Sequence, residues 1–347
     1  MILVDNPGNW TSVFPPLVHA EWNGCSLADL VFPWFLVILG AAMPFAFERR
    51  RQTADAPVIH RRILRRTAAL IGLGLFLNAM AAWPTLSTLR IPGVLQRIGL
   101  VYFASALICL HVSPRRRGLL AGCLLLGHWA VLAVSMWSGR FDLTPAHNVS
   151  AAVDRAMLNG HLLTAAGDPE GLLGTVSATA TALIGTLVGD WLRQDRKAPA
   201  ARLAAVGLGL TATGYAWSWW LPLNKALWTG SYVLFAAGLA ILTLALFHKM
   251  LDHDVEPKWT RPFLWLGVNP LAIYFASEVV RQLLDRPLDG VAGGTTTASW
   301  VFWSVLRPVV PSALDEQWVA LAYGAIAVTV WILVAGQLHR HRIRLQV

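Results

Sequence analysis

The first loop of the chain, residues 6–25, gathers the side chains best suited to chemistry. His19 is the strongest acid–base candidate in the sequence, because an imidazole with an unperturbed pKa of about 6.5 takes and returns a proton near neutral pH. Asn6, Glu21 and Trp22 lie in the same loop and add polar and aromatic groups that a substrate could contact. A lone loop histidine is also often incidental, so the residues by themselves leave both interpretations of His19 open.

Asp29 follows this loop at the start of an apolar segment. Residues 26–29 (SLAD) have the form of a capping box that opens a helix. Pro33 has no N–H to give to the carbonyl of Asp29, four residues earlier. A carboxylate and a freed carbonyl therefore lie just beyond the loop, and a capping role for Asp29 is compatible with a site role.

Three basic side chains are predicted within or at the outer edge of membrane segments. An ionisable side chain inside a bilayer costs about 3 kcal/mol, so such residues often have a function. Arg90 is predicted at the outer mouth of an apolar segment, and Arg97 lies about 10 Å deeper at helical rise. Lys225, directly after Asn224, also lies on the predicted outer side. A functional role and simple snorkelling explain Lys225 equally well.

A further acidic pair follows a long connection, in residues 168–171 (DPEG). This order predicts a helix start with Asp168 as N-cap, proline at the first helical position and Glu170 in an acidic first turn. Its predicted position on the outer face also leaves room for contact with a substrate.

Membrane helices must position these side chains. Of the 347 residues 56% are hydrophobic and 14% are charged, and the mean hydropathy is +0.53. A soluble domain carries about 25% charged residues, so this chain cannot cover a water-facing surface. The net charge of +9 gathers in short basic runs between apolar segments, a pattern that orients membrane helices and argues against nucleic-acid binding.

The apolar segments predict an all-α, polytopic membrane bundle of about nine full spans, with residues 1–347 forming a single membrane domain. The spans lie near 26–47, 63–83, 93–112, 118–137, 172–192, 203–221, 227–248, 262–282 and 317–338. Residues 1–4 have the character of the last turn of a truncated helix. Residues 299–310 are too short to span and predict an interfacial or re-entrant segment.

Basic residues alternate between the connections. Arginine-rich connections are 49–66, 115–117, 193–202, 248–261 and the tail from residue 340, whereas 6–25, 84–92, 138–171, 221–226 and 283–316 carry far fewer basic residues. By the positive-inside rule the first set is cytoplasmic. The C-terminus is then cytoplasmic, and the loop that carries His19 faces outward.

Several stretches together resemble heparan-α-glucosaminide N-acetyltransferase and its bacterial homologues. They are residues 1–8 (MILVDNPG), 16–24 (PLVHAEWNG), 29–35 (DLVFPWF), 90–97 (RIPGVLQR), 168–175 (DPEGLLGT) and 224–228 (NKALW). The resemblance follows the family's order over nearly the whole chain. It implies a bundle of membrane helices in a bacterial inner membrane that moves an acetyl group from cytosolic acetyl-CoA to the amine of a terminal glucosamine.

The resemblance also assigns roles. The family's histidine falls on His19, which would act as general base or as a nucleophile that carries the acetyl group. Its site asparagine falls on Asn6, which would hold the acetyl carbonyl as an oxyanion donor, and Asp29 could orient His19 or the amine. Contacts with acetyl-CoA are expected from Arg65, Arg66, Gln96, Arg97 and Arg261, and contacts with the amino sugar from Glu21, Trp22, Asp168, Glu170, Asn224 and Lys225.

The chain differs from the family's sequence pattern at two places, and one alternative function also fits the sequence. The family's Leu-Asp-x-x-Arg-Gly stretch before Asn6 is absent, and Glu21 replaces an uncharged residue of the animal members. The acceptor therefore stays open between glucosamine, another amino sugar, a muropeptide and a sugar hydroxyl. The rival function is a transporter or flippase for a sugar or lipid-linked sugar, which would predict inverted repeats. No metal is expected, and a homodimer in the bilayer is compatible with the sequence.

Overall fold

The computed structural model describes residues 1–51, 55–195, 200–251, 257–288 and 295–345, and side chains throughout except at 49–51. Parts of the predicted connections 49–66, 193–202, 248–261 and 283–316 lie outside these residues. The described chain is built from α-helices, short 3-10 turns and a π-helical segment, Val301–Leu306, and its extended pairings are two isolated bridges. The predicted all-α fold class is confirmed.

The helices follow the apolar segments with small shifts at their ends. In chain order they are α1 (Ile2–Asp5), α2 (Leu27–Arg51), α3 (Ala56–Ala82), α4 (Val94–His111), α5 (Pro114–Trp137), α6 (Val149–Leu158), α7 (Leu172–Gln194), α8 (Ala200–Trp217), α9 (Gly230–Leu251), α10 (Arg261–Val268), α11 (Pro270–Leu284), α12 (Thr297–Trp300) and α13 (Glu316–Arg340).

Within the described residues, seven helices are long and apolar enough to cross a membrane, and they are α2, α3, α4, α5, α7, α9 and α13. Two segments account for the difference from the predicted bundle of about nine full spans. Helix α8 has 18 residues but is not among these seven helices. The segment near 262–282 is broken, because Lys258–Val268 and Pro270–Leu284 meet at 77°. Counting that bent pair as one span gives eight.

The break between α10 and α11 falls at Asn269, where Pro270 removes a backbone donor. The side chain of Asn269 binds the backbone of the segment that follows α13. Its Nδ2 donates to the carbonyl of Ile343 at 3.0 Å, and its Oδ1 accepts from the amide of Leu345 at 2.8 Å. The predicted short segment near 299–310 is a helix from Thr297 to Leu306. Its shortness is confirmed.

The chain falls into two compact units. Unit 1 comprises Met1–His19, Ser26–Ala28 and His253–Val347, and it contains α1 and α10 to α13. Unit 2 comprises Ala20–Cys25 and Asp29–Asp252, and it contains nearly all of α2 and the helices α3 to α9. The single domain over 1–347 stays a prediction.

Unit 2 is built around α7, which contacts α4, α5, α6 and α9, while α8 packs against α9 and α3 against α4. Glycines allow α2 to approach α7 at backbone distance. A Cβ added at Gly40 would overlap the carbonyl oxygen of Ala182, and a Cβ at Gly185 would overlap that of Val37. Small residues at such positions are the usual means of close helix packing in membranes, where apolar contact alone gives no preference for protein over lipid.

We expect Gly185→Ala to destabilise the protein by about 1–3 kcal/mol, because the added methyl group must displace backbone. Gly72 in α3 is the matched control, since a Cβ there has no atom within 4 Å. Gly72→Ala should be neutral or slightly stabilising, because alanine favours a helix over glycine by about 1 kcal/mol. Thermal unfolding of both variants in detergent measures the difference. Equal melting temperatures would contradict the α2–α7 packing.

Candidate active site

Asn6 closes the short helix α1 in unit 1. Its Nδ2 donates to the carbonyl of Ile2 at 2.8 Å, which satisfies one of the carbonyls that a helix end leaves unpaired. A carboxamide nitrogen carries two N–H donors, so one remains for another acceptor. Asn6 is only 7% exposed, and its Oδ1 makes no hydrogen bond within the described part of the chain.

Asn6 lines a pocket that lies wholly in unit 1. The pocket has about 10 Å³ of free volume, room for one water-sized group, and it is lined by Asp5, Asn6, Pro7, Gly8, Trp10, Arg281, Leu284, Asp285, Ala298 and Tyr323. Gly8 shapes it, because its φ of +70° favours glycine and a Cβ there would lie 2.7 Å from the Tyr323 ring. Trp10, 59% exposed, stands at its edge.

Acidic side chains outnumber basic ones around this pocket. On α11, Arg281 binds Glu278 at 2.8 Å and Asp285 at 3.0 Å. Asp5 has no hydrogen bond or ion pair from its carboxylate among the residues that the structure describes. Burial, with the nearby charge of Glu278, raises the pKa of Asp5 to about 6.

The sequence analysis missed Asp5, Arg281 and Asp285. The signal was present in residues 278–285, where acid, base and acid follow one another at i, i+3 and i+7 beside an apolar helix segment. Such spacing places all three on one helix face.

His19 lies after the 3-10 turn Pro15–Leu17 at the end of the N-terminal part of unit 1. Its side chain is exposed. Its charge acts on Asp5 and opposes the rise of the Asp5 pKa. His19 is therefore accessible to a substrate and lies within electrostatic reach of the carboxylate beside Asn6.

In unit 2, Asp29 holds the segment that follows His19. Its Oδ2 accepts from the amide of Ala20 at 3.0 Å, and Oδ1 lies 3.3 Å from Nζ of Lys225. The Asp29 carbonyl, which Pro33 was predicted to leave free, accepts from the hydroxyl of Tyr232 at 2.6 Å. Asp29 therefore links the loop, α2 and α9, and its predicted capping-box role stays a prediction.

Asn224 joins the same segment to the loop before α9. Nδ2 donates to the carbonyl of Trp22 at 3.0 Å and to Oδ1 of Asn23 at 3.1 Å, and Oδ1 accepts from the amide of Leu227 at 2.8 Å. Trp22 is tied down at its ring, where Nε1 donates to the carbonyl of Leu143 at 2.6 Å. Glu21 points outward and is exposed.

Arg90 gathers the acidic pair at the start of α7. It contacts Asp168 at 2.7–2.8 Å through two nitrogens and Glu170 at 2.5 Å. The predicted N-cap at Asp168 is wrong, because α7 begins at Leu172 with Gly171 as N-cap. The Asp168 carboxylate instead binds the guanidinium of Arg90, because a charged donor forms a stronger hydrogen bond than one helix amide.

Asp154 in α6 does the capping that was expected of Asp168. Its Oδ1 accepts from the amide of Leu172 at 2.8 Å, and it is 1% exposed. The sequence analysis missed Asp154, which no motif marks.

Arg97 is 1% exposed in α4. Its Nη2 donates to the Gly171 carbonyl at 3.0 Å, and its guanidinium lies 4.9 Å from the centre of the Trp228 ring. Gln96, also buried, donates to the carbonyl of Ile91 at 3.1 Å. These two predicted acetyl-CoA contacts are thus held by the interior of unit 2.

The remaining predicted acetyl-CoA contacts differ in exposure. Arg65 in α3 and Arg261 at the start of α10 are exposed. Arg66 is half-buried and lies 4.6 Å over the ring of Tyr102. Within the described residues, no group of three or more histidine, cysteine or acidic side chains is arranged to hold a metal ion.

Comparison with known proteins finds two acetyltransferases. The chain is 27% identical to human heparan-alpha-glucosaminide N-acetyltransferase in an alignment of 323 positions, which covers 75% of this chain and 48% of the human protein. It is 28% identical to the mouse protein of the same name, over 76% of this chain and 49% of the mouse protein. The chain spans about half the length of these curated relatives. No protein-family model matches it.

Proposed function

We propose that the chain is a member of the heparan-α-glucosaminide N-acetyltransferase family and that it transfers an acetyl group from acetyl-CoA to the amine of a terminal glucosamine or a related amino sugar. The observation that carries the proposal is the alignment with two acetyltransferases over three quarters of the chain. The membrane-spanning helices support it, because they suit transfer between two sides of a bilayer.

His19 is proposed as the group that handles the proton of the attacking amine. Its exposure on a loop gives an acceptor access to it. The alternative, in which the imidazole carries the acetyl group, needs the same access. Either role requires the loop to hold its shape, and the contacts of Asp29 and Asn224 to residues 20–23 provide that support.

Asn6 is proposed as the donor to the oxygen that becomes negative when the acetyl carbonyl is attacked. A donor of this kind is worth about 3–4 kcal/mol where it has been measured. Asn6 suits the role because its amide is fixed by Ile2 through one N–H and retains a second.

Asp29, Asn224, Asp168 and Glu170 are proposed as positioning residues, since their polar atoms are used by the protein itself. Arg65 and Arg261 are the exposed cations that suit the phosphates of acetyl-CoA. We propose that they face the cytoplasm of a bacterial cell, with His19 on the opposite side of the inner membrane, because basic residues crowd their connections.

The direct test follows release of free CoA from acetyl-CoA by the purified protein in detergent. Glucosamine should accelerate the release and be converted to N-acetylglucosamine in equal amount. Acetyl-CoA at a hundred times its dissociation constant should also stabilise the fold by about 2.7 kcal/mol, which raises the melting temperature. Glucose, which lacks the amine, is the control acceptor. No release with glucosamine or any other amine, together with no thermal shift by acetyl-CoA, would refute the proposal.

A further inference from the structure

The starts of α3 and α5 in unit 2 are rich in arginine. Residues 55–66 and 111–117 contain seven arginines and a single acidic residue, Asp55. The two helix starts lie at the same end of the unit, because Nε2 of His60 in α3 lies 2.8 Å from Nε2 of His111, three positions before α5 begins. The arginines therefore share one end of unit 2.

The protein itself uses one arginine of each helix start. Arg66 lies 4.6 Å over the ring of Tyr102 in α4. Arg117 is buried and forms an ion pair with Asp190 in α7, and its Nη1 lies 3.3 Å from Sγ of Cys109. These contacts hold α3 against α4 and α5 against α7, so packing within unit 2 accounts for Arg66 and Arg117.

Four other arginines have no such contact, and they are called the basic rim: Arg61, Arg62, Arg115 and Arg116. All four are exposed, and none of their side chains forms an ion pair or a hydrogen bond within the described part of the chain. Cations at one end of a fold repel one another, and a bound anion relieves this repulsion. The charge of the basic rim therefore fits an anionic partner.

The surface beside the basic rim is apolar. Leu64 in α3 is 58% exposed and Leu119 in α5 is 65% exposed. Only 28% of the apolar stretch of α3 and 22% of that of α5 are buried, against 50–72% in the other spanning helices of unit 2. Both helices therefore present apolar side chains to lipid, next to arginines that suit phosphate.

A charged head and an apolar body are the two parts of a phospholipid. Arginine binds phosphate through two parallel N–H···O bonds, and basic clusters at the ends of membrane helices bind anionic headgroups. Acetyl-CoA also carries phosphates, but it has no long alkyl chain to cover Leu64 and Leu119. The apolar surface therefore favours a lipid over a nucleotide at the basic rim.

We propose that the basic rim binds an anionic phospholipid with two phosphates, such as cardiolipin. One phosphate lies at the arginine pair of α3 and the other at the pair of α5, and the acyl chains lie along Leu64 and Leu119. The lipid joins the two helix starts at this end of unit 2. The site is separate from the proposed acetyl transfer and does not depend on it.

A preference among lipids is the property to measure, because basic residues orient membrane helices without any particular lipid. Thermal unfolding in a nonionic detergent, with one lipid added at a time, measures it. Cardiolipin should raise the melting temperature, because a ligand that binds the folded state stabilises it. Phosphatidylglycerol at equal phosphate concentration should raise it less, and zwitterionic phosphatidylcholine should leave it unchanged. Salt at about 1 M should weaken the shift by cardiolipin, since it screens exposed charges.

Two double variants locate the site. Arg61→Gln with Arg62→Gln, and Arg115→Gln with Arg116→Gln, should each lower the affinity for cardiolipin about 30-fold, because one arginine near an anionic headgroup is worth about a factor of five. Lipid titrations followed by native mass spectrometry measure this affinity. Without lipid, both variants should melt like the wild-type protein, because the four side chains are exposed and make no contact that the change would break.

Arg340→Gln with Arg344→Gln is the matched control. It also removes two positive charges, but from the exposed C-terminal end of unit 1. This variant should bind cardiolipin with the affinity of the wild-type protein. An equal loss of affinity in this variant and in the double variants of the basic rim would show that only the net charge matters, and would overturn the inference.

Acetyl-CoA distinguishes a lipid site from a nucleotide site. Loss of the cardiolipin shift in the double variants, with an unchanged thermal shift by acetyl-CoA, is the expected result. If the double variants lose the shift by acetyl-CoA and keep that by cardiolipin, the basic rim binds the phosphates of the nucleotide and the inference is wrong. No stabilisation of the wild-type protein by cardiolipin, or equal stabilisation by phosphatidylcholine, would also overturn it.

Discussion

His19→Ala is expected to lower the rate of acetyl transfer by about 10²–10⁴-fold, the usual worth of a general base. The loss should be at least as large if the imidazole carries the acetyl group, because that route has no substitute for the missing nitrogen. His19 is exposed on a loop, so the alanine variant should fold normally. The measurement is CoA release with glucosamine as acceptor, together with the melting temperature.

His147→Ala is the matched control, because His147 is also an exposed loop histidine. It should retain the wild-type rate. Retention of more than about a tenth of that rate by His19→Ala would contradict both roles of His19. Asp5, the carboxylate beside Asn6, would then be the remaining candidate for the proton transfer.

The second large effect concerns stability. Asp168→Asn should destabilise the protein by about 3–5 kcal/mol, since it breaks a buried ion pair and leaves Arg90 incompletely compensated. The Asp168 side chain is fully buried against Arg90 and also accepts from the amides of Leu163 and Glu170. Thermal unfolding in detergent should show the loss as a markedly lower melting temperature.

Glu48→Gln provides the comparison. Its carboxylate binds Arg193 at 2.8 Å, but the side chain is 49% exposed. Solvent screens such a pair, so the change should cost less than about 1 kcal/mol. Similar melting temperatures for the two variants would show that the Arg90 cluster contributes no more than a surface pair.

The same cluster predicts a dependence on pH. Burial tends to raise the pKa of Asp168, but the hydrogen bonds and charge of Arg90 outweigh it and hold that pKa below its ordinary value. The folded protein therefore binds this proton less readily than the unfolded chain. The stabilisation is complete above about pH 4, the unfolded value, and is lost as pH falls through the lowered pKa.

The fold class followed from composition, because a chain with 14% charged residues has too little charge to cover a water-facing surface. Helix positions followed from the lengths of the apolar segments, and seven of them are helices of spanning length and hydropathy. Helix α8 and the bent pair α10–α11 differ from the predicted full spans, because length and hydropathy describe each segment without its neighbours in the fold. The 77° break lies at Asn269, whose side chain is hydrogen-bonded to the backbone of Ile343 and Leu345, more than 70 positions later.

His19, Asn6 and Asp29 were chosen from the sequence because residue type and motif order mark them. The partners of these residues could not be read in the same way. Asp168 was given the role of a helix cap on local grounds, yet Arg90, 78 positions earlier, takes its carboxylate. Asp154 caps α7 from another helix, and no local pattern announces such a contact.

What the sequence determined by itself was the helical membrane bundle and the loop that carries His19, since these depend on composition, hydropathy and residue order. Only the tertiary structure decided which polar side chains are hydrogen-bonded within the protein and which can still bind a ligand. Asn224 is engaged by the backbone of Trp22 and Asp168 by the guanidinium of Arg90. Arg97 uses Nη2 for the Gly171 carbonyl, while its Nε and Nη1 have no hydrogen-bond partner within the described residues. Asn6 gives one side-chain N–H to the carbonyl of Ile2 and retains the other. Hydrogen bonding and burial depend on which residues are neighbours in three dimensions, and the order of residues along the chain does not specify those neighbours.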